Sequence, residues 1–365
     1  MPRRRRIQWQ RLLPALLILA AVLVGGALGV RALVRSLRAP REDAAVALAI
    51  PASARFFPCG EGFVAWDGET IVRCDAAGQE VWRLAADMPG AQAAVSGAFV
   101  ALFTDSELRL YDANGTLLHD KTVAGITTVR PGTKYVAVLS EQGDPLFRVI
   151  DRDGTNIFSQ IEQGRTVLDF GLTPNDLLWL LLMDTNGTTA TTTVKLYQPA
   201  KQSQIGNEVF ADDMIYRIVP TKSKLWMLGV SSLYGYNVAD MSAKPEQVMI
   251  YGWQNIDAFA PYESDLLGLA RAEAIDRGQI QSLWMLPPAT PSETFLQSPA
   301  LAATSDGRSL FLLTEDAAQT QRIKEGDVQR QTLAQPVDRV LCVLAGRGFV
   351  YESNGAAYWL NMLTP

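Results

Sequence analysis

The chain has 365 residues, of which 48% are hydrophobic and 19% are charged. This composition is typical of a folded globular protein and excludes a long disordered chain, a collagen and a coiled coil. Three cysteines and one histidine argue against a multi-ligand zinc site, a c-type haem and a disulfide-stapled scaffold.

Charge is distributed unevenly along the chain. Residues 1–41 contain nine arginines and no acidic residue, whereas the remaining 324 residues hold 24 basic and 38 acidic side chains, a formal charge of −14. Such an acidic body lacks the excess of lysine and arginine that neutralises phosphates. We therefore expect no nucleic-acid partner.

The basic N-terminal region contains one long apolar run. Residues 12–30 carry no charge, and as a helix they would be about 28 Å long, close to the roughly 30 Å hydrocarbon core of a bilayer. Five arginines precede the run, and Trp9 stands at its edge. Because short basic termini stay cytoplasmic, the pattern predicts a cytoplasmic tail (1–11), a transmembrane signal anchor (12–30) and a body outside the cytoplasmic membrane of a bacterium.

A cleaved secretory signal is the alternative. The sequence Ala-Leu-Gly at residues 27–29 offers a small-x-small cleavage site, and arginines also follow the apolar run, which weakens the charge asymmetry across it. Either segment exports the body. Residues 31–43 are predicted to form a juxtamembrane linker with a short helix that ends near Pro40.

A repeat follows the linker. Each copy has two short apolar strands, an Asp-x-x-Gly turn and a further strand, and the turns of the clearest copies occupy residues 75–78, 112–115 and 151–154. The mean spacing of the copies is near 41 residues, which is the length of one four-stranded propeller blade. Weaker copies begin at the strand residues Leu178, Leu225, Leu266, Leu310 and Phe349.

The repeat predicts an all-β domain over residues 44–365. Continuous apolar runs such as residues 99–103 are typical of strands buried on both faces, and the Asp and Gly of each turn supply a side-chain acceptor and a positive φ. Counting the copies predicts a β-propeller of eight four-stranded blades. Seven blades, with one copy out of phase, is the alternative.

The eighth blade needs a strand from the other end of the domain. After the seventh copy only three strands remain, at residues 339–344, 349–351 and 357–360, while a strand at residues 44–50 has no blade of its own. We expect this strand to complete the eighth blade as its outer strand, which leaves no free edge there.

The first copy resembles a known family. Residues 74–82, Cys-Asp-Ala-Ala-Gly-Gln-Glu-Val-Trp, are similar to the Asp-Ala-x-x-Gly-x-x-x-Trp docking motif of the quinoprotein-like (PQQ-repeat) propellers. The match is partial in the next two copies and then fades, and WD40-type blades have a similar period. The resemblance implies that Trp82 is wedged between two blades. It implies little about activity, since these propellers host many unrelated roles.

The residues that such enzymes use are missing from the sequence. Quinone-dependent dehydrogenases of that superfamily bind their cofactor with a vicinal cysteine pair, Ca²⁺ and a catalytic Asp, and the chain has no adjacent cysteines and no dense acidic cluster. No catalytic, cofactor-binding or metal-binding residue is therefore predicted. Cys59, Cys74 and Cys342 are interpreted as buried thiols, with a disulfide as the alternative.

The other polar candidates have simple interpretations. His119 has no partner residue in the sequence and is interpreted as a surface residue. The acidic pairs at 212–213 and 315–316 are interpreted as solvated turns, with cation binding as the alternative. Polar residues predicted on the innermost strands occur about once per blade and receive no catalytic role: Arg55, Arg130, Asp169, Arg217, Asp257 and Arg339.

Two tryptophans are candidates for partner contact. Trp66 and Trp253 stand near loop signals, where they could face the funnel or rim as interface anchors. We expect a binding or scaffold module without a soluble cofactor, which presents an acidic propeller to a protein, peptide or glycan. The alternatives are a funnel-site enzyme, of the quinone-dependent oxidoreductase or lyase/hydrolase type, and a sensor that signals through a partner.

Overall fold

A computed structural model describes residues 45–256, 265–286, 292–323 and 328–362 of the chain. Within these residues, 32 strands form eight antiparallel sheets of four strands each. The first strands of most neighbouring sheets contact one another, which arranges the sheets as blades around a centre. The fold is therefore an all-β, eight-bladed propeller, as predicted, and the alternative of seven blades is wrong.

Blades 1 to 7 are built from strands that follow one another along the chain. Blades 1 to 3 contain β2 to β13, which are Arg55–Cys59, Gly62–Trp66, Thr70–Cys74, Glu80–Ala85, Gln92–Val95, Phe99–Phe103, Glu107–Asp112, Leu117–Thr122, Ile126–Pro131, Val136–Glu141, Pro145–Ile150 and Asn156–Ile161. Blades 4 to 7 contain β14 to β29, which are Thr166–Leu172, Leu178–Asp184, Thr191–Gln198, Ser203–Phe210, Ile215–Pro220, Lys224–Gly229, Ser232–Asn237, Glu246–Met249, Trp253–Asn255, Leu267–Arg271, Ile280–Leu286, Ser292–Ala300, Ala302–Ser305, Ser309–Leu313, Ala317–Arg322 and Val328–Thr332.

Blade 8 closes the ring with strands from both ends of the domain. Its four strands are β30 (Arg339–Leu344), β31 (Gly348–Ser353), β32 (Ala356–Asn361) and β1 (Ala45–Pro51). β1 pairs antiparallel with β32, so that Ala45 lies opposite Leu360. The predicted outer strand is confirmed.

Helix is scarce in the described part of the chain. A helix of five residues, α1 (Ala272–Asp276), lies between β23 and β24, and one 3₁₀ turn covers Pro199–Lys201. Neither is long and apolar enough to cross a membrane. The predicted tail (1–11), anchor (12–30) and linker (31–43) lie outside the described residues.

The hydrophobic core lies between blades. Every residue of the second strands β3 and β7 is buried. The cluster around Ala101 of blade 2 also contains Val129 and Val138 of blade 3. Since each blade packs against a neighbour on both faces, its inner strands are apolar on both sides, and the continuous apolar runs of the sequence have this cause.

A bulky ring of one blade rests on a glycine of the next. A Cβ atom on Gly115 would lie 3.0 Å from the ring of Trp82, whose indole Nε1 donates to the carbonyl oxygen of Ala113 at 3.0 Å. Trp359 packs in the same way on Gly78, across the closure of the ring. The wedged position that the resemblance implied for Trp82 is confirmed.

His119 occupies the equivalent position between blades 2 and 3, against Gly154. It is only 8% exposed, so its interpretation as a surface residue is wrong. The sequence placed it correctly after an Asp-x-x-Gly turn, but the glycine that it covers belongs to the next blade. Burial, together with the positive charge of Lys121, lowers the pKa of His119 below its ordinary value.

The connections between strands divide into two faces. Because neighbouring strands are antiparallel, the turns between first and second strands and between third and fourth strands share one face, here called the turn face. The connections between second and third strands, and those between blades, share the opposite face, the loop face. β1 begins and β32 ends at the turn face, so both ends of the described chain leave from it.

Candidate functional site

Among the described connections between strands, those of the loop face carry most of the charge imbalance. The described connections of the turn face contain eight carboxylates and seven basic side chains. Those of the loop face contain two arginines (Arg165 and Arg277) and thirteen carboxylates: Asp67, Glu69, Asp87, Asp105, Asp144, Glu162, Asp212, Asp213, Glu273, Asp276, Glu315, Asp316 and Asp338. The excess of carboxylates in the described connections therefore lies on one face, and such a face has a negative potential.

Not all of these carboxylates are solvated. Asp213 is 8% exposed and accepts hydrogen bonds from the backbone N–H of Ser231 (3.1 Å) and Ser232 (3.0 Å) and from the Ser231 hydroxyl (2.9 Å). Its interpretation as part of a solvated turn is wrong, because it holds together a second loop that is close only in the fold. Asp212 is exposed, and so are Glu315 and Asp316, as predicted.

Glu162 joins blade 3 to blade 4. Its carboxylate is 3% exposed, accepts from the Lys195 ammonium at 2.9 and 2.7 Å, and accepts from the Tyr197 hydroxyl at 3.0 Å. Burial, reinforced by the charge of Glu162, raises the pKa of Tyr197 well above its ordinary value. The phenol therefore stays protonated and remains a donor.

One group of exposed apolar side chains stands out on the loop face. We call it the blade-5 patch, and its members, which are between 41% and 64% exposed, are Met214, Tyr216, Val230, Met249 and Tyr251. The other large apolar side chains that are exposed in the described residues lie on outer strands of several blades: Val81, Leu117, Ile161, Ile205, Val209 and Phe295.

Three neighbouring segments bring the patch together. The backbone N–H of Val230 donates to the carbonyl oxygen of Met214 at 3.2 Å. Ser232, two residues later, pairs with Met249 across β20 and β21. The segments that carry the patch are therefore neighbours in the fold, although its residues span 38 positions of sequence. Exposed apolar side chains grouped in this way often mark an interaction site.

Trp253 follows Tyr251 of the patch by two residues and is buried. Its ring stacks on Trp284 with centroids 4.4 Å apart, and the guanidinium of Arg271 lies 4.4 Å from the Trp253 centroid. Arg271 Nη1 also donates to the carbonyl oxygen of Tyr251 at 3.3 Å. These contacts fix the backbone that carries Tyr251, so its exposed ring projects from a supported loop.

Both tryptophans singled out in the sequence lie at the loop-face ends of their strands. Each is only 4% exposed, since a large indole buries most area by packing between blades, and Trp66 belongs to the core between blades 1 and 2. A contact between either ring and a partner stays a prediction. The exposed aromatics Tyr216 and Tyr251 were missed, because isolated tyrosines near turns carry no distinctive signal.

The polar residues predicted on the innermost strands are found there, except Asp257, which lies outside the described residues. Arg130 and Asp169 form an ion pair of 3.6 Å between blades 3 and 4, and Arg339 pairs with Glu352 at 2.7 Å. Arg55 and Arg217 also lie on first strands, those of blades 1 and 5. The described residues contain no cluster of three His, Cys, Asp or Glu side chains able to hold a metal ion.

The three cysteines are free and buried, which confirms their interpretation as buried thiols. Burial raises the pKa of Cys74 to about 11 and that of Cys342 to about 12. It also raises the pKa of Cys59, although the nearby Arg73 opposes the shift. Thiols in this state are poor nucleophiles at neutral pH.

Two cavities lined by residues of the described ranges are small. One of about 30 Å³, lined by Leu333, Tyr351 and Tyr358 among others, lies between blades 7 and 8. A second of about 10 Å³ lies near Ala65. Volumes of this order hold a water molecule rather than an organic substrate.

Comparison with known proteins identifies the fold. No protein-family model matches the chain, and no curated protein matches it. Among solved structures, the C-terminal WD40 domain of Sif2 is similar at 14% identity with a TM-score of 0.57, covering 88% of this chain and 97% of that chain. The computationally designed Ika8 protein matches at 12% identity with a TM-score of 0.55, covering 87% and 98% of the two chains.

A third similar structure is apo AztD from Citrobacter koseri, at 8% identity with a TM-score of 0.52, covering 78% of this chain and 87% of that chain. At such identities the likeness concerns the fold alone. The chain is a β-propeller with WD40-like architecture.

Proposed function

We propose that the chain is a membrane-anchored, extracytoplasmic propeller that binds a protein partner at its loop face and acts as a scaffold. The observation that carries this proposal is the coincidence, on one face, of acidic connections and the blade-5 patch. Charged surroundings attract and orient a partner, while a central apolar cluster supplies most of the binding free energy. β-Propellers often serve as scaffolds of this kind, which agrees with the proposal.

The anchor and its orientation belong to the same proposal. The apolar run at 12–30 and the arginines before it support a single-pass anchor with the body outside. The first described strand, β1, begins at the turn face, and the loop face lies on the other side of the propeller. An acidic face would also be repelled by anionic lipids, which favours its use for a protein partner.

Site-specific photocrosslinking in intact cells tests the binding role. A crosslinkable residue at Tyr251 or Gln142 on the loop face is expected to give discrete adducts, whereas one at Asn114 or Lys244 on the turn face is not. Adducts formed equally from both faces would contradict the proposal.

Reporter fusions at the C-terminus test the orientation. Alkaline phosphatase is expected to be active and green fluorescent protein dark, since the first needs the exported compartment to fold and the second fails to mature there. The reverse result would place the propeller in the cytosol and refute the anchor proposal.

The predicted alternative of a funnel-site enzyme has its own test. Saturable binding of PQQ with Ca²⁺ to the full-length protein would support it and would displace the scaffold proposal.

A further inference from the structure

We propose that the partner docks on the blade-5 patch through a basic amphipathic segment, in which apolar anchor side chains are flanked by lysine or arginine. This inference rests on the proposed binding role of the loop face. It adds the position of the site and the chemistry of the segment that occupies it.

The apolar half of the inference follows from how the patch is built. Met214 and Met249 present flexible side chains that adapt to different shapes, Val230 adds a compact apolar group, and Tyr251 presents a rigid ring with a polar edge. The loops beneath them are held by Asp213 and by the Trp253 stack. A supported backbone with adaptable side chains suits the burial of a few large apolar residues from a partner.

The charged half follows from what borders the patch. Asp212 is exposed two residues before Met214. On the other side, the backbone N–H of Ala272 donates to the carbonyl oxygen of Gly252 at 3.0 Å, which places α1, with its acidic residues Glu273 and Asp276, next to Tyr251.

Positive charge is also present at this border. Arg271 and Arg277 lie at the two ends of α1, and the Arg271 guanidinium is engaged over the Trp253 ring and by the Tyr251 carbonyl. Apart from Arg271, which ends β23, the described loop-face connections hold thirteen carboxylates against two arginines, so the surrounding potential is negative. Basic residues that flank an apolar anchor would complement it.

Charge also argues against two other occupants. A second copy docked through the same face would bring two acidic faces together, and a membrane rich in anionic lipid would be repelled. The arginine-rich segment at 31–41 of the chain also has the required chemistry. Each of these occupants is an outcome of the test below.

Fluorescence anisotropy with full-length protein in neutral detergent and three synthetic peptides provides the test. The first peptide carries two leucines flanked by lysines, the second has serine for leucine, and the third has glutamate for lysine. We expect saturable binding of the first, and binding of the other two weaker by about tenfold or more. Raising the salt from 0.05 to 0.5 M should weaken binding of the first, because charges on the surface are screened.

Matched variants locate the site. Met249→Ser and Tyr251→Ser should each weaken binding of the first peptide by about tenfold. Phe295→Ser removes an equally exposed apolar side chain from an outer strand and should change nothing. Asp212→Asn should weaken binding by a few-fold, while Asp153→Asn on the turn face should not. Circular dichroism and thermal unfolding establish that each variant is folded.

Each contrary result overturns a specific part. Equal binding to wild type and to both patch variants would remove the patch as the site, and tight binding of the glutamate peptide would remove the charge complementarity. Binding to phosphatidylglycerol vesicles that Met249→Ser abolishes would assign the patch to a membrane. Dimer formation that the same variant abolishes would assign it to a second copy. Tighter binding of a peptide of residues 31–41 than of the first peptide would assign it to the chain itself. If loop-face crosslinks persist while the peptide results fail, the scaffold role stands and this inference falls.

Discussion

Two parts of the propeller, here called its first half (blade 8 through blade 1 to blade 3) and its second half (blades 3 to 6), are joined by different chemistry. At the junctions from blade 8 through blade 1 to blade 3, an aromatic side chain of one blade covers a glycine in the Asp-x-x-Gly turn of the next blade, as Trp82 covers Gly115. From blade 3 to blade 6, buried or half-buried carboxylates take over, as Glu162 does between blades 3 and 4. The same architecture is thus maintained by a local motif in one half and by long-range polar clamps in the other.

The clamps of the second half recur at equivalent places. Asp176 of blade 4 accepts from the backbone N–H of Thr133 and Lys134 of blade 3, each at 2.9 Å. Asp265 of blade 6 accepts from the Ser223 backbone N–H (2.7 Å) and the Thr221 hydroxyl (2.9 Å) of blade 5. Burial opposes the ionisation of Asp265, but these hydrogen bonds more than offset it and hold the pKa of its carboxyl below the ordinary value.

The two kinds of junction require different residues. A hydrogen-bonded carboxylate fixes a junction without a bulky ring, so the surface of that half can take other roles. The blade-5 patch lies in this half, between Glu162 and Asp265 along the chain. The regular half is the scaffold, and the irregular half carries the candidate docking surface.

Removing the aromatic side chain between blades 8 and 1, where the propeller closes, should have the largest effect on the free energy of unfolding. Trp359→Ala removes an indole that is 1% exposed and should cost about 3–5 kcal/mol of unfolding free energy. Trp82→Ala should cost less, because Trp82 is only half-buried. Urea unfolding of the two variants measures both costs. Equal and small losses would show that the closure depends on strand pairing rather than on the indole.

Removing a buried carboxylate that joins two blades should have the second-largest effect on the free energy of unfolding. Glu162→Ala leaves the Lys195 ammonium, whose side chain is 14% exposed, without its partner and should cost about 3 kcal/mol. The double variant Glu162→Leu with Lys195→Met replaces the pair by apolar side chains and should recover most of that loss. If the double variant is no more stable than Glu162→Ala, the clamp contributes through its geometry and not through charge pairing.

A smaller effect separates two buried phenols. Tyr197→Phe removes a hydroxyl that donates to Glu162 and should cost about 1–2 kcal/mol. The hydroxyl of Tyr351 is buried and has no hydrogen-bond partner among the described residues, so Tyr351→Phe should be neutral within about 0.5 kcal/mol. Thermal or urea unfolding distinguishes the two, and a large loss for Tyr351→Phe would reveal a partner such as a bound water.

The smallest effect is a pH dependence at the junction of blades 2 and 3. Burial lowers the pKa of His119, so the unfolded chain binds a proton more readily than the folded one. Stability should therefore fall as the pH decreases below about 6.5, the ordinary value for histidine. His119→Trp should remove this component and be tolerated, since Trp82 fills the equivalent position.

Unfolding at pH 7.5 and 5.5 measures the His119 component as a difference between wild type and variant. His119 is the only histidine of the chain, so its titration is also a single signal in an NMR spectrum. If the free energy of unfolding changes by the same amount between pH 7.5 and 5.5 in wild type and in His119→Trp, the pKa of His119 is not lowered by folding.

Much of the fold was predictable because its signals are local. The apolar second strands, the Asp-x-x-Gly turns and the spare strand near residue 45 each appear within a few residues, and a period near 41 counts the blades. His119 and Asp213 were misinterpreted for one common reason. Their partners, Gly154 in one case and the 231–232 loop in the other, are close only after the blades have packed.

The candidate docking surface was missed in the sequence for the same reason, because its residues come together only in the folded chain. Met214, Val230 and Met249 are separated by whole strands, and none is unusual in its own sequence context. Which side chains of a loop remain exposed depends on the twist of each blade and on its neighbours, and a pattern of polar and apolar residues along one chain does not contain that information. The period of the repeat was therefore enough to predict the architecture and the number of blades. Packing between distant segments decided which carboxylates join blades, which apolar side chains stay exposed and on which face the acidic connections lie.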